Sequence, residues 1–321
     1  MKVILTQDDP TYKVLEKLLN GPISGEDIAK ELEVSRTSIW KTIRKLKRFG
    51  YEIESKKGFG YELKSCPDLS PFEVLKICKK LNIIGQNKPI KEIHYYKIVD
   101  STNIRAKDEG KPNLLIIAEK QTKGKGRFGR TWHSEKGGLY FTITLPRVFS
   151  IQDLPKVSLL AGISVCKALK FLNARLKWPN DVLINGKKVC GILCETIGEY
   201  ESPLVIIGIG VNVNNDLPHN LSNAVSIKDI TGKPERISKI LESILSNFFN
   251  LYDVALKQNW NYIINEWRKL SDTIGKKVKV ITPTSTITGL AIDINNDGNL
   301  LVKSDSNQVH AISAGECIHL R

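Results

Sequence analysis

The spacing of apolar residues divides this chain into three blocks, and no single domain can satisfy all three patterns. Helical spacing up to Gly50 is followed by a short period-two hairpin that ends at about Leu63, strand-like and helical runs alternate from about Ile93 to Ser271, and short strands follow one another from Gly275 onward. A period of about 3.6 residues buries one face of a helix, whereas a period of two buries one face of a strand. With 321 residues, the chain also exceeds the roughly 100–200 residues of one domain. Several domains of different secondary structure are therefore predicted.

The first block has the element order of a winged helix-turn-helix. One helix is predicted at Lys13–Asn20, a second after a capping sequence that begins at Ser24, and a third after Ser35. After Gly50 the period changes to two, which predicts a β-hairpin. Six basic residues and no acidic one lie between Val34 and Tyr51, so the third helix is predicted to bind DNA.

DNA contacts are expected from side chains early on the third helix, which reach base edges, and from lysines at the hairpin tip, which reach phosphates. The predicted DNA-binding residues are Ser35, Arg36, Thr37, Ser38, Lys41, Arg44, Lys56 and Lys57. A basic face that is merely solvated is the alternative, and the complete lack of acidic residues in this segment favours DNA. Trp40 could pack at the edge of the core or stack on the DNA backbone, and packing is the favoured expectation.

The rest of the chain predicts three further segments. Ser70 followed by Pro71 marks the start of a helix that runs to about Leu81. The predicted divisions are a winged helix-turn-helix at 1–65, a linker helix at 66–90, a mixed α/β domain at 91–273 and a small SH3-like β-barrel at 274–321. The fold class is therefore α+β multidomain.

The sharpest local feature is a glycine-rich basic loop, Gly124-Lys-Gly-Arg-Phe-Gly-Arg130. Its glycines match GxGxxG, but a dinucleotide fingerprint opens a helix, whereas this loop leads into a strand predicted at Leu139–Leu145. The HRD and DFG tripeptides that accompany a kinase loop do not occur in the sequence. Three glycines with Lys125, Arg127 and Arg130 suit a loop that closes over phosphate. A mobile basic surface loop and a nucleic-acid patch are the alternatives.

Three further polar segments lie beside predicted strands. Lys177-Trp-Pro-Asn-Asp181 is a tight turn whose last two residues could meet adenine, ribose or a metal. Lys187 and Lys188 lead into a buried strand, where an ammonium group can point inward or both can form a solvated hairpin tip. Asp100-Ser-Thr-Asn103 is either a plain helix cap or a set of donors and acceptors for a small polar ligand.

Composition narrows the classes of partner and compartment. The formal charge of +14 favours anionic partners. Residues 1–65 hold 13 basic and 10 acidic residues, so most of the excess positive charge lies outside the predicted DNA-binding block. No apolar stretch is long enough to span a bilayer, the first residues do not resemble a secretory signal, and the six cysteines are scattered. Cys190 and Cys194 are expected to be buried strand residues. We therefore expect a cytoplasmic protein with no membrane partner.

In this order along the chain, five segments resemble those of a biotin protein ligase: Asp100–Asn103, the loop from Gln121 to Trp132, Lys177–Asp181, the run from Lys188 to Glu195 and Gly208-Ile-Gly-Val-Asn212. The predicted winged helix and β-barrel extend the resemblance to the bifunctional type that also represses biotin synthesis genes. It covers essentially the whole chain. The glycine-rich loop together with the Lys177–Asp181 turn is specific, whereas the other segments are not specific alone.

The resemblance implies a two-step reaction. The biotin carboxylate attacks the α-phosphate of Mg-ATP, which gives biotinyl-5′-AMP and pyrophosphate, and a lysine of an acceptor protein then attacks this anhydride and releases AMP. Lys188 and Arg127 are implied as catalytic residues. The implied biotin-binding residues are Ser101, Thr102, Asn103, Gln121, Lys125, Gly126, Arg127 and Lys188. The implied ATP- or adenylate-binding residues are Gly124, Arg130, Trp132, Lys177, Asn180, Asp181, Gly208 and Asn212.

The resemblance also implies partners. ATP, Mg²⁺ and biotin are the expected small molecules, and no residue is assigned as a metal ligand. The acceptor would be the biotin carboxyl carrier protein of a biotin-dependent carboxylase. Biotinyl-5′-AMP would act as the co-repressor, promoting a homodimer that binds operator DNA. A regulator with a catalytically inert biotin sensor is one alternative, and a lipoate or octanoate ligase is another.

The loop departs from the family pattern at two positions. The family often has GRGRRGR, whereas this chain has Lys125 and Phe128 in place of two of the arginines. Lysine keeps the charge but loses the fork-shaped donor geometry of arginine, and phenylalanine removes a cation. We expect activity to survive because Arg127 remains. Retention of the adenylate intermediate is the property that these two changes put in question.

Overall fold

The structure is a computed structural model that describes residues 2–56, 59–146, 148–199 and 203–320. The chain forms two compact units, Lys2–Tyr95 and the residues from Tyr96 onward. The finer division at 1–65, 66–90, 91–273 and 274–321 stays a prediction. None of the helices in the described ranges has both the length and the apolar character needed to cross a membrane.

The first unit contains the helices and the hairpin of a winged helix-turn-helix. Its elements are β1 (Lys2–Leu5), α1 (Pro10–Leu19), α2 (Gly25–Glu31), α3 (Arg36–Arg48), β2 (Glu52–Lys56), β3 (Gly60–Ser65), α4 (Pro71–Lys80) and β4 (Glu92–Tyr96). The side chains of Asp9, Ser24 and Ser35 cap α1, α2 and α3, each accepting a hydrogen bond from a backbone N–H of the first helical turn. The predicted third helix is confirmed, and its core positions Ile39 and Ile43 are buried.

The residues of α3 and its N-cap that the sequence assigns to DNA are all exposed. They are Ser35, Arg36, Thr37, Ser38, Lys41 and Arg44. Lys56 lies on β2 and forms an ion pair with Glu62 across the hairpin at 2.6 Å. The other predicted hairpin lysine, Lys57, lies outside the described residues.

The expectation that Trp40 packs at the edge of the core is wrong. Its side chain is 48% exposed, and the guanidinium of Arg44 lies 4.7 Å from the centre of its ring. Successive helix positions are about 100° apart, so the residue directly after the buried Ile39 turns away from the core stripe. An arginine one turn later can then cover the exposed ring through a cation–π contact.

The predicted linker helix α4 packs into the first unit. Its Phe72 is fully buried, with its ring edge-to-face against Phe49 and 5.5 Å between ring centres. The Tyr51 hydroxyl lies 2.9 Å from Ser70 Oγ and donates to Glu73 Oε1 at 3.1 Å. Burial raises the pKa of Tyr51 well above its usual range, which keeps the phenol protonated as a donor. These contacts join α4 to the β2 side of the winged helix.

The second unit combines an antiparallel sheet with helices and a separate β-rich region. Its elements are α5 (Thr102–Glu109), β5 (Leu114–Ala118), β6 (Leu139–Leu145), α6 (Leu154–Ala168), β7 (Arg175–Lys177), β8 (Asp181–Ile184), β9 (Lys187–Ile197), β10 (Leu204–Val211), α7 (Ile227–Thr231), α8 (Ile237–Leu256), α9 (Trp260–Leu270), β11 (Lys277–Ile281), β12 (Thr286–Ile294), β13 (Leu300–Ser304), β14 (Val309–Ile312) and β15 (Glu316–His319). Strands β5-β6-β10-β9-β8-β7 are neighbours in that order, and each pair is antiparallel.

The alternation of side chains along β9 and β10 gives the sheet two different faces. Ile192 on β9 points toward α6, since a Cβ on Gly162 of that helix would lie 3.6 Å from it. Its neighbour Gly191 faces the other way, as does its cross-strand partner Gly210. The α6 helix therefore covers one face of the sheet, and the glycine-bearing face remains for a site.

The C-terminal strands form a five-stranded sheet in the order β14-β13-β12-β11-β15 within the described residues. Alternate residues of these strands are fully buried, among them Val278, Val280, Leu300 and Val302. The small β-rich domain that period two predicts is therefore present. β15 was not among the predicted strands, and it returns to pair with β11.

Candidate functional site

A cavity of about 770 Å³ opens on the glycine-bearing face of the second unit. Much of its wall comes from four parts of the chain that the sequence singled out: the N-terminus of α5, the glycine-rich loop, the Lys177–Asp181 turn, and the N-terminal half of β9 with the C-terminal half of β10. Of the residues predicted to bind biotin or ATP, all but Gly124 line this one cavity. The structure thus brings together segments that lie more than 100 residues apart.

The glycine-rich loop is a closed turn. Gly126 N donates to Arg130 O at 2.7 Å, and Trp132 N donates to Gly124 O at 2.9 Å. A Cβ on Gly124 would lie 2.4 Å from the Trp132 carbonyl oxygen, so Gly124 allows the two sides of the loop to meet. At the tip, Phe128 has a φ of 56°, in the left-handed region that non-glycine residues rarely adopt.

The arginines of the loop reach across to other segments. Arg127 Nη1 donates to Gly315 O at 3.1 Å and to Asn180 Oδ1 at 3.4 Å. Arg130 forms an ion pair with Glu316. Burial lowers the pKa of Arg127, although the nearby carboxylate of Asp181 favours its charged form. Arginine stays protonated even so, which places a partly desolvated cation at the cavity wall.

The Lys177–Asp181 turn is anchored by its tryptophan. Trp178 is buried, and its indole N–H donates to Gly298 O at 3.1 Å while its backbone N–H donates to Thr273 Oγ1 at 3.0 Å. Asn180 Nδ2 donates to Ile192 O at 2.6 Å. Trp178 therefore fixes the turn, and Asn180 and Asp181 are held at the cavity.

The structure distinguishes the two adjacent lysines. Lys187 is exposed, whereas Lys188 is half-buried and lines the cavity. The Lys188 ammonium lies 2.6 Å from Asp181 Oδ1 and 5.2 Å from the centre of the Trp132 ring. The register between β8 and β9 shifts beside Lys188, since Val182 pairs with Cys190 and Leu183 pairs with Lys188. Of the two positions that the sequence left open, Lys188 is the inward one.

The Trp132 ring packs closely against two glycines of the sheet. A Cβ on Gly210 would be 2.3 Å from its Nε1 atom, and a Cβ on Gly191 would be 3.0 Å from its ring. The indole N–H is buried and has no hydrogen-bond partner among the residues that the structure describes. A buried unpaired donor beside the Lys188 ammonium suits an incoming ligand that supplies an acceptor.

The Ser101–Asn103 segment forms another part of the cavity wall. Ser101 is the N-cap of α5 but makes no side-chain capping bond, so its hydroxyl is left for other partners. Thr102 N donates to Gln121 Oε1 at 2.8 Å, and Gln121 Nε2 donates to Ser134 Oγ at 2.9 Å. On β10, Gly208 allows Asn103 to approach, since a Cβ there would lie 2.2 Å from Asn103 Oδ1. Asn212 is buried and bonded to Val225 O.

Sequence reasoning missed part of the cavity wall. The segment from Gly315 to Leu320, which includes β15, lines the cavity, as do Asp272 and Lys276. These residues carry no local motif, and the return of β15 to β11 places the Gly315–Leu320 segment near the loop. Among the described residues, no cluster of three or more His, Cys, Asp and Glu side chains is placed to hold a metal ion.

Three family models match this chain in succession. Residues 11–62 match an HTH domain, residues 95–212 match the biotin/lipoate A/B protein ligase family, and residues 273–320 match a biotin protein ligase C-terminal domain. The bifunctional ligase/repressor BirA of Bacillus subtilis is 33% identical over 299 residues, which cover 89% of this chain and 90% of that protein. The chain belongs to the family of bifunctional biotin ligase/repressors.

Other members of the biotin ligase family support the assignment. The bifunctional ligase/repressor BirA of Escherichia coli is 28% identical over 309 residues, covering 91% of this chain and 92% of that protein. The solved biotin protein ligase from Aquifex aeolicus, in complex with biotin and ATP, is 30% identical and has a TM-score of 0.64. It covers 71% of this chain and 98% of its own. The α+β multidomain architecture predicted from the sequence is thereby confirmed.

His319 on β15 gives this biotin ligase site a pH-dependent contact. Its Nε2 atom lies 3.1 Å from Thr273 Oγ1, and its Nδ1 atom lies 3.6 Å from Asp272. Burial, followed by the charges of Lys177 and Lys276, lowers the pKa of His319 from 6.5 to about 4. The folded state therefore holds this imidazole neutral where the unfolded chain would protonate it.

We expect His319→Gln to reduce the loss of stability on acidification. Between pH 6.5 and about 4 the unfolded wild type binds a proton at His319 that the folded state does not, so its free energy of unfolding falls as the pH falls. This contribution is complete above pH 6.5 and amounts to at most about 1.4 kcal/mol per pH unit. Urea unfolding of both proteins from pH 7 to 4 measures it. Parallel profiles would show that His319 has no such role.

Proposed function

We propose that this chain is an ATP-dependent ligase that joins biotin to a lysine of an acceptor protein and also represses transcription in response to biotin. The observation that carries the ligase half is one cavity whose lining includes both the cations Arg127 and Lys188 and the polar segment Ser101–Asn103. The cations suit phosphate and carboxylate groups, and the hydroxyls and amides suit a neutral polar head group.

In the first step, the biotin carboxylate oxygen forms a bond to the α-phosphorus of ATP, and the bond to pyrophosphate breaks. Negative charge accumulates on the phosphoryl oxygens, and cations already fixed in the protein stabilise it without further reorganisation. Arg127 is held by Gly315 and Asn180, and Lys188 is held between Asp181 and the Trp132 ring. We assign these two side chains to the α-phosphate and the developing anhydride.

In the second step, the amine of an acceptor lysine attacks the carbonyl carbon of the anhydride. An amide bond forms, the amine loses a proton and AMP leaves. The acceptor would be the biotin carboxyl carrier protein of a biotin-dependent carboxylase. ATP and operator DNA meet in the cytoplasm, so we place the function there.

Mg²⁺ would arrive with the nucleotide. Magnesium is usually bound by substrate phosphates, waters and one or two carboxylates, and Asp181 and Glu316 offer carboxylates at the cavity wall. When bound, it would neutralise charge on the triphosphate and favour departure of pyrophosphate. The ion pairs of Asp181 with Lys188 and of Glu316 with Arg130 would loosen as phosphates take over the two cations.

The repressor half rests on the first unit. Its exposed α3 residues face away from the core, and a homodimer would present two such helices to the halves of a palindromic operator. Biotinyl-5′-AMP would favour this dimer by binding better to the state that pairs.

We expect Lys188→Ala to slow formation of biotinyl-5′-AMP on the order of 100- to 1,000-fold, because one preorganised cation at the phosphate is lost. The matched control is Lys187→Ala, which removes an exposed lysine next to it and should stay near the wild-type rate. Single-turnover assays with labelled ATP and biotin measure both. Equal rates for Lys188→Ala and the wild type would remove the assigned role, and a wild type without turnover would favour the inert-sensor alternative.

We expect operator binding to depend on both ligands and on α3. A gel shift with the DNA upstream of the gene for this chain should appear at lower protein concentration with biotin plus ATP than without. Lys41→Ala should weaken the shift by about tenfold or more, whereas Lys13→Ala, at an exposed position of α1, should not. No shift at low salt with both ligands present would leave the ligase and remove the repressor.

A further inference from the structure

Behind the Ser101–Asn103 wall lies a row of polar side chains that the mechanism does not use. Asn103 lines the cavity, but its three side-chain neighbours Thr142, Glu195 and Lys107 do not. Thr142 is fully buried on β6, Glu195 lies on β9, and Lys107 lies on α5. Because Asn103 and Thr142 are buried, their polar groups are costly unless each has a partner, so the hydrogen bonds of this row define what Asn103 can do.

Helix geometry brings two of these residues to the same carboxylate. Asn103 and Lys107 are four residues apart on α5 and therefore lie on one face. Asn103 Nδ2 donates to Glu195 Oε2 at 2.9 Å, and Lys107 Nζ lies 2.7 Å from Glu195 Oε1. Each oxygen of Glu195 thus has its own cationic or amide partner, and Lys107 holds the carboxylate in place for Asn103.

The orientation of the Asn103 amide follows from the chemistry of its neighbours. Its Nδ2 atom also lies 3.3 Å from Leu193 O, so both partners on that side are oxygen acceptors. An amide nitrogen is the only end that can face two acceptors. The carbonyl end must therefore face Thr142, whose hydroxyl donates to Asn103 Oδ1 at 2.7 Å.

The hydrogen-bonding capacity that Asn103 has left determines which ligand group it can bind. Both N–H groups of Asn103 are used by Glu195 and Leu193 O, whereas Oδ1 has two lone pairs and, among the described residues, accepts from Thr142 alone. Asn103 can therefore offer a ligand an acceptor and not a donor. Gly208 lies so close to Asn103 that a Cβ on Gly208 would be 2.2 Å from Asn103 Oδ1. This close contact restricts the conformations that the Asn103 side chain can adopt.

We propose that Glu195, held by Lys107, is a positioning residue that fixes Asn103 as a hydrogen-bond acceptor for a ligand N–H. This inference rests on the proposed function, in which biotin carries such groups in its ureido ring. Without Glu195 the side-chain amide of Asn103 can rotate by about 180° and present its NH₂ group to the ligand. That NH₂ group cannot accept a hydrogen bond from a ligand N–H. Lipoate and octanoate have no N–H at their apolar ends, so the same device selects against them.

The test measures biotin affinity without ATP, by calorimetry on the full chain. Glu195→Leu should weaken biotin binding about 10- to 100-fold, since loss of a charge-assisted anchor lets Asn103 turn. In an Asn103→Ala background the same change should have almost no further effect, because Glu195 acts through Asn103. An affinity loss in the double variant equal to the product of the two single losses would overturn the proposal.

Two further proteins separate positioning from general damage. The double variant Glu195→Gln with Lys107→Met keeps an oxygen acceptor for Asn103 and removes the Lys107 ammonium, which would otherwise face the new amide NH₂. Its biotin affinity should therefore lie within about threefold of wild type, unlike that of Glu195→Leu. Failure of this pair to recover, with a wild-type unfolding midpoint, would overturn the proposal. The control Glu266→Leu removes a carboxylate that bridges Lys167 and Lys269 away from the cavity, and affinity should not change.

A modified ligand tests the acceptor directly. Biotin methylated on a ureido nitrogen should lose more affinity for the wild type than for Glu195→Leu, because only the wild type holds the acceptor in place. An equal loss in both proteins would overturn the proposal. A wild type that does not bind biotin at all would instead remove the proposed function, so the two failures are distinguishable.

Discussion

The close approach of two side chains to β10 is the constraint on which the cavity depends. A Cβ at Gly208 would lie 2.2 Å from Asn103, and a Cβ at Gly210 would lie 2.3 Å from the Trp132 indole. Because these positions have no side chain, Asn103 and Trp132 can both pack directly against the backbone of the sheet. The alternating residues of β9 and β10 pack against α6, so the site is built on the rigid face of a core.

Three cations of the cavity wall already have internal partners before any ligand binds. Lys188 is paired with Asp181 and Arg130 with Glu316, while Arg127 donates to a carbonyl and an amide oxygen. An anionic ligand therefore competes with internal partners for cations that are already in position. The loop arginines contact the C-terminal sheet directly, which makes that sheet part of the site.

Local patterns predicted the elements, and contacts between distant residues decided most of what was missed. The 3.6-residue stripe of α3 and the period-two strands follow from neighbours in sequence, and the motif segments converge on one cavity. β1, β7, β15 and the short helix α7 carry no strong periodic signal of their own. The pairing of Glu195 with Asn103, 92 residues apart, depends on the register of β9 and β10, which no local pattern contains. Trp40 was misjudged because a large apolar side chain can be covered by an adjacent arginine instead of the core.

The central claim is that one cavity holds biotin and ATP together so that carboxylate and α-phosphate react. Biotin-dependent exchange of labelled pyrophosphate into ATP tests it most directly, because exchange requires reversible formation of the adenylate on the protein and needs no acceptor. The account predicts exchange with biotin and none with lipoate, octanoate or no acid. Exchange that is equally fast with lipoate, or no exchange with biotin, would contradict it.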